Sequence, residues 1–333
     1  MKLPERIPPE ALISVRGLTV EFRVARGILT AVDNVDLDVY RGEVLGLAGE
    51  SGCGKSVLAH AILKLVDPNG YIKSGKILFK GTTDVLSLPQ GELRRFRWKN
   101  AAIIFQGAQN ALNPVMRTSE HFLDTFLSHD KETGKEQIFS KSSGLIEKLR
   151  LDSSRVLRMF PHEMSGGMKQ RTISALGMLL DPEFLILDEP TSSLDVLTQK
   201  YILKLLRDIH EETGLTMLFI THDLATLAEI AERIAIMYLG NMVEIGDVDE
   251  VFYEPRHPYT RVLLKALPSI KGDIEDIKPL PGPVPDPINP PSGCRFHPRC
   301  PHAMPLCQET TPKLTHVGGR CQVACHLYGG EAK

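Results

Sequence analysis

The chain has 333 residues, with 39 Lys plus Arg against 41 Asp plus Glu, 42% hydrophobic residues, 24% charged residues and six cysteines. At about 150 residues per domain, that length suggests roughly two domains, and the balanced composition excludes a disordered chain, a collagen and a small disulfide scaffold. A net charge of -2 gives no global electrostatic reason to expect nucleic acid. The longest uncharged run, Ala101 to Met116, contains Gln106, Gln109, Asn110, Asn113 and Pro114, so no apolar span of about 20 residues exists to cross a bilayer. The opening MKLPERIPPE lacks the basic-then-apolar pattern of a secretory signal, so the chain is expected in the cytosol, with any membrane role peripheral.

Residues 12 to 48 alternate in short β-rich runs broken by Gly27 and by Arg41-Gly42-Glu43, which predicts antiparallel strands. The apolar run Val44 to Ala48 enters a Gly-rich loop, and Val57 to Val66 has helical spacing, giving strand, loop, helix. From Gly107 to Pro161 the pattern turns helical and more polar, which predicts an inserted helical subdomain over about 107–165. Phe184 to Leu187 predicts a buried strand closing in Asp188-Glu189-Pro190, and Thr216 to Ile220 another closing in Thr221-His222-Asp223. Between them Thr198 to Glu212 carries Ile202, Leu205 and Leu206 at helical spacing. Strands alternating with helices predict a mostly parallel α/β sheet with its functional groups at the strands' carboxyl ends. Past residue 250 the composition shifts: seven of the 23 prolines lie between Pro279 and Pro291, which favours an extended linker or wrapped segment. Five of the six cysteines follow within residues 294–325.

Gly49-Glu50-Ser51-Gly52-Cys53-Gly54-Lys55-Ser56 fits G-x-x-x-x-G-K-[ST] without a mismatch, between a predicted strand and a predicted helix. In such a loop the glycines let backbone N–H groups wrap a β-phosphate. Lys55 then faces the β- and γ-phosphates, Ser56 offers a hydroxyl to Mg²⁺, and the helix start favours an anion. Cys53 occupies an unconstrained position. Asp188, at a strand end, suits Mg²⁺ directly or through water, and Glu189 suits the orientation of an attacking water at the γ-phosphate.

Met164-Ser165-Gly166-Gly167-Met168-Lys169-Gln170-Arg171 resembles the signature motif of ATP-binding cassette (ABC) proteins, with Met164 and Met168 replacing the usual Leu and Gln. Gln106 resembles that family's Q-loop glutamine, Ser193-Leu194-Asp195 its D-loop, and His222 its switch histidine, so the resemblance covers roughly residues 12 to 250. It implies two ATP molecules held between two such domains, each facing the Ser165-Gly166-Gly167 terminus of the opposite subunit. It further implies that Gln106 senses Mg²⁺ or the attacking water, and that His222 holds the γ-phosphate and that water. The adenine-stacking side chain is left between Phe22 and Arg26. The segment Gln106 to Arg117 is similar to the part of peptide-importer ATPases that docks a coupling helix of a membrane subunit. Arg256-His257-Pro258-Tyr259-Thr260 is similar to the C-terminal signature of oligopeptide and dipeptide importer ATPases.

The cysteine spacings are Cys294-x5-Cys300-x6-Cys307-x13-Cys321-x3-Cys325, with His297, His302 and His326 nearby. The residues alone leave iron-sulfur cluster and structural zinc both open. The resemblance assigns Cys294, Cys300, Cys307 and Cys325 to a [4Fe-4S] cluster with a structural role, zinc being the alternative, and leaves Cys321 without a counterpart.

The expected architecture is a P-loop ABC ATPase α/β core (1–250) with a mixed sheet, an antiparallel β subdomain and the helical insertion, followed by a small metal-bound extension (251–333). The expected function is ATP hydrolysis powering a dipeptide or oligopeptide importer from the cytoplasmic face of the cell membrane. The expected partners are a second, related ATPase, two transmembrane permeases and, indirectly, an extracellular binding protein. Three rival readings are an importer of nickel chelates or oligosaccharides, a soluble ATPase acting on nucleic acid or ribosomes, and a tail that senses iron or redox state. Ser165 follows Gln106 by only 59 positions, which leaves no room for the long coiled coil that the soluble rival expects.

Overall fold

A computed structural model of the chain describes residues 10–192, 194–265 and 282–328. The first elements are strands β1 (Ala11–Val24), β2 (Gly27–Tyr40) and β3 (Val44–Ala48), helix α1 (Lys55–Ile62), strands β4 (Gly70–Phe79) and β5 (Thr83–Asp84), helix α2 (Gln90–Lys99) and strand β6 (Ala101–Ile104). Helices α3 (Thr118–Leu127), α4 (Lys135–Lys148), α5 (Ser153–Val156) and α6 (Gly166–Gly177) follow, then β7 (Phe184–Asp188), α7 (Val196–Thr213), β8 (Thr216–Ile220) and α8 (Leu224–Ile230). The chain continues through β9 (Arg233–Tyr238), β10 (Asn241–Asp247), α9 (Val248–Tyr253), α10 (Pro258–Lys265), α11 (Pro305–Glu309), β11 (Thr315–Gly318) and β12 (Cys321–Val323). The predicted antiparallel region is a four-stranded sheet in the order β2-β1-β4-β5, its first two strands joined by the two-residue turn Ala25-Arg26.

The chain divides into two compact units. One is drawn from Met1–Val15, Leu37–Glu43 and Lys76–Leu218, the other from Arg16–Asp36, Val44–Gly75 and Phe219–Lys333. In the first unit β6 and β7 pair in parallel, Ala101 opposite Phe184 and Ile104 opposite Leu187. Every residue of β7 is buried, as a parallel strand covered on both faces requires. Helices α3, α4 and α5 fall where the sequence pattern turns helical, and Phe122, Ile138, Ile146 and Val156 are among their buried residues. Helix α7 starts at Val196 because the Asp195 carboxylate caps the Thr198 N–H, and it stops where Gly214 takes a left-handed φ of 64°. Its buried Ile202, Leu205, Leu206 and Ile209 share one face at helical spacing.

In the second unit the strands run β11-β12-β10-β9-β3. β3 is parallel to β9, whereas β9 with β10, β10 with β12 and β12 with β11 are antiparallel, so the sheet is mixed. The C-terminal hairpin is therefore a continuation of this sheet, with Glu244 opposite Val323.

Two predicted helices have different bounds. The spacing ran the first helix to Val66, but α1 ends at Ile62: Leu63 N–H turns back to the His60 carbonyl and Lys64 adopts φ 52°. Pro68 lies ahead and disfavours helix at the residue before it. For the second, the residues after Ser165-Gly166-Gly167 predict a helix over Met168 to Leu179, but α6 spans Gly166–Gly177 because Ser165 caps it two residues earlier. Of the proline-rich segment, Pro279 to Pro281 lie outside the described residues, and 282–291 carry neither helix nor strand. Among the described residues no helix is long and apolar enough to cross a membrane.

Candidate functional site

The phosphate-loop sequence joins β3 to α1 within the second unit. Gly49 and Gly54 stand at φ 149° and 106°, and a Cβ on them would come within 2.2 Å of the Met237 and Ala31 carbonyl oxygens respectively. Only glycine satisfies both the backbone conformation and the space. Helix α1 has no side-chain cap and no acidic residue in its first turn, so no acid of its own opposes a bound anion at its start. Buried Lys55 Nζ donates to the carbonyls of Gly49 (2.8 Å) and Glu50 (3.1 Å) and lies 3.7 Å from Cys53 Sγ. Burial pushes the Cys53 thiol up despite that ammonium, which keeps it protonated and inert.

Glu50 is held from two sides. Its N–H donates to Tyr259 Oη at 2.9 Å, and its carboxylate accepts two bonds from Arg299, from Nη1 at 2.8 Å and Nη2 at 3.1 Å. Tyr259 belongs to the His-Pro-Tyr stretch, which is built on buried Glu244: the carboxylate accepts Arg256 N–H at 2.7 Å and His257 N–H at 3.0 Å, and burial raises its pKa. Buried His257 Nδ1 in turn accepts Tyr259 N–H at 3.0 Å, and desolvation lowers its pKa to about 3. Tyr238, Tyr259 and Phe296 pack ring against ring with centroids 4.7 to 5.4 Å apart. Sequence reasoning missed the roles of Arg299 and Glu244; Arg299 is one ordinary-looking cation between Cys294 and Cys300, 249 residues from its partner.

In the first unit, the β6/β7 register carries Gln106 and Glu189 each two residues beyond an opposed pair, and Gln106 Nε2 donates to Glu189 Oε2 at 2.9 Å. Asp188 is buried at the end of β7, and Glu189 takes φ 47°, a strained conformation for a glutamate that turns it away from the strand. Ser165 Oγ accepts the Met168 N–H at 3.3 Å, so this hydroxyl is engaged as a cap. The helix start itself is open to solvent at Ser165 and Gly166 with no acid in its first turn. A Cβ on Gly167 would meet Thr198 Cγ2 at 2.8 Å, so α6 and α7 approach closely there. Asp195 caps α7 with bonds from Thr198 N–H (3.0 Å) and Oγ1 (2.7 Å), and these hold its carboxyl below the usual range. Ser193, the other polar residue of that loop, lies outside the described residues.

His222, in the second unit, is exposed in the turn before α8, which Asp223 caps by accepting Ala225 N–H at 3.0 Å. Of the two adenine-stacking candidates, Phe22 packs over Gly70, where a Cβ would lie 2.6 Å from its ring, and Arg26 pairs with Asp286.

The tail cysteines separate into two groups. Cys294 interacts electrostatically with Cys300, Cys307 and Cys325, Cys300 with Cys307, and Cys325 with both Cys300 and Cys307. Desolvation and these neighbours push the Cys294 thiol up to about 11. Cys321 sits instead beside Glu244, Glu250 and Asp247. Among the described residues no three His, Cys, Asp or Glu side chains form a group able to hold one metal ion.

Two family models match the chain: that of ABC transporters over residues 32–192 and that of the oligopeptide/dipeptide transporter C-terminal region over 243–307. The dipeptide transport ATP-binding protein DppD of Caldanaerobacter subterraneus subsp. tengcongensis is 44% identical over 317 residues, which cover 95% of this chain and 97% of that protein. The chain belongs to the ABC transporter ATPases of the dipeptide and oligopeptide importer family. A further relative is the oligopeptide transport ATP-binding protein OppD of Escherichia coli K12, 38% identical over 95% of this chain and 93% of that one. Among solved structures, the dimeric post-hydrolysis state of the ATP-binding cassette MJ0796 bound to ADP and Pi superposes with a TM-score of 0.63 at 25% identity, covering 71% of this chain and 98% of that chain. This importer ATPase is accordingly an ATP-hydrolysing enzyme of a transport complex.

Proposed function

We propose that this subunit powers the import of dipeptides and oligopeptides from the cytoplasmic face of the cell membrane, paired with a second, related ATPase and bound to two permeases that receive substrate from an extracellular binding protein. One observation carries the reading: Tyr259, within the peptide-transporter C-terminal region, accepts a hydrogen bond from the phosphate loop at Glu50, so the part typical of peptide importers is built into the nucleotide site. In this reading residues 1–250 form the nucleotide-binding domain, with the helical subdomain at about 107–165, and 251–333 the importer extension.

The residues divide the work by chemistry. Gly49 to Ser56 wrap the β-phosphate with N–H groups, and Lys55 swings its ammonium from the loop carbonyls to the β- and γ-phosphates. Glu189 takes the proton of the water that attacks the γ-phosphorus as the bond to the β-phosphate oxygen breaks, while Gln106 holds that carboxylate in place. His222 steadies the γ-phosphate, and Ser165-Gly166-Gly167 offers its helix N-terminus to the ATP of the partner subunit. Asp195, in the D-loop, shapes the same edge. Ser56, Gln106 and Asp188 would hold Mg²⁺, which neutralises phosphate charge when bound.

In this reading Cys294, Cys300, Cys307 and Cys325 would hold a [4Fe-4S] cluster, four thiolates being its usual complement, with zinc as the alternative and Cys321 apart. Such a cluster would cross-link the tail rather than carry electrons. Anaerobically purified protein is expected to contain about four irons per chain; a colourless, zinc-replete sample overturns the assignment. The transport reading is tested in proteoliposomes holding the whole complex and its binding protein. Dipeptides and short peptides should stimulate ATP hydrolysis and accumulate inside, whereas stimulation by oligosaccharides or nickel chelates alone refutes a peptide substrate.

A further inference from the structure

The Arg299–Glu50 pair joins the cysteine tail to the phosphate loop. Arg299 lies in a one-turn 3₁₀ segment, His297–Arg299, that begins three residues after Cys294 and ends beside Cys300. Its side chain is 4% exposed and that of Glu50 18%, so the pair is shielded from water. The guanidinium also donates to Tyr238 Oη at 3.3 Å and lies over the Tyr238 ring at 5.8 Å. Burial works against its charge, but the bonds to Glu50 and Tyr238 outweigh that and hold its pKa above the normal value. A fork of two bonds with a planar partner fixes a carboxylate in direction as well as position. Glu50 is also one of the two residues whose carbonyls receive Lys55 Nζ.

We propose that Arg299 is a positioning residue for nucleotide binding. Working with Tyr259, it fixes Glu50, and through the Glu50 backbone it sets the path of the phosphate loop and the resting place of Lys55. The tail thus contributes to the affinity of the site for ATP without touching it. This rests on the ATPase reading of the loop. The chain's own geometry distinguishes it from general support of the fold: Arg299 binds Glu50, the residue whose N–H donates to Tyr259 and whose carbonyl accepts from Lys55.

The test uses the full importer complex and measures KM for ATP, kcat, and affinity for a fluorescent ATP analogue, together with thermal unfolding. Arg299→Ala is expected to raise KM and the analogue Kd roughly tenfold, about 1.4 kcal/mol, with kcat within about twofold. Arg299→Lys keeps the charge but not the fork, and should recover less than half of that loss. Glu50→Gln combined with Arg299→Ala should be no worse than Arg299→Ala alone, because both remove one interaction. Tyr259→Phe, which keeps the ring packing, should raise KM roughly threefold, and it decides the matter if Arg299→Ala does not fold. Unchanged KM and analogue affinity in folded variants, or strictly additive losses in the double variant, overturn the proposal. Complete loss of turnover with normal analogue affinity would likewise overturn it, because the effect would then fall on hydrolysis and not on binding, whereas a parent complex that does not hydrolyse ATP overturns the ATPase reading on which it rests.

Discussion

Glu189 combines two features that a strand-end acid does not need for structure: a left-handed φ of 47° and a carboxylate bonded by an exposed glutamine amide. A backbone of that kind costs about 1–3 kcal/mol and persists where surrounding structure enforces it, often at functional positions. Replacing Glu189 with Gln keeps shape and volume and removes only the basic oxygen. The expected outcome is unchanged thermal stability and ATP affinity, with hydrolysis lowered at least roughly a hundredfold. Turnover near that of the parent protein would remove Glu189 from the role of base. At this scale the sequence was informative wherever chemistry depends on residue type at fixed spacing. Gly49 and Gly54 were legible because no other residue tolerates their φ and the facing carbonyls. The capping tasks of Ser165 and Asp195 were not, because a hydroxyl or carboxylate at a helix start reads the same whether it faces its own N–H groups or a ligand.

Among the elements, β6 and β7 show how local pattern becomes a site: parallel register alone sets Gln106 beside Glu189, although 83 residues separate them. The helices α3, α4 and α5 were legible from the change of periodicity, and Arg117 over Phe160 together with His162 bonded to the Pro114 carbonyl secures the loop that exposes Val115. The hairpin β11–β12 was overlooked. Its Thr315–Gly318 and Cys321–Val323 runs are short, and the cysteines drew the reading toward a metal-held appendage. Its attachment is by backbone pairing to β10 and by the fully buried Val323. Val323→Asp would place a carboxylate in that apolar position at a cost of several kcal/mol. Hydrogen exchange should then show lost protection over 315–323 with β3 and β9 still protected. Retained protection of the hairpin would mean that something other than this docking holds the tail.

For the molecule as a whole, the extension and the phosphate loop belong to one compact unit, so conditions acting on the His-Pro-Tyr stretch act on the nucleotide-binding unit. His257 provides the lever. It is buried and neutral, its pKa lowered by desolvation from 6.5 to about 3. Between those values the unfolded chain binds a proton that the folded chain does not, so stability is full above pH 6.5 and falls as the pH drops toward 3. The loss approaches about 1.4 kcal/mol for each pH unit in that window. His257→Asn preserves an acceptor for Tyr259 N–H and removes the titration. Denaturant unfolding followed from pH 7 to pH 4 should give the variant a flatter profile than the parent by about that slope. Parallel profiles would show that acid sensitivity arises elsewhere, because only a group whose proton affinity changes on folding can alter the slope.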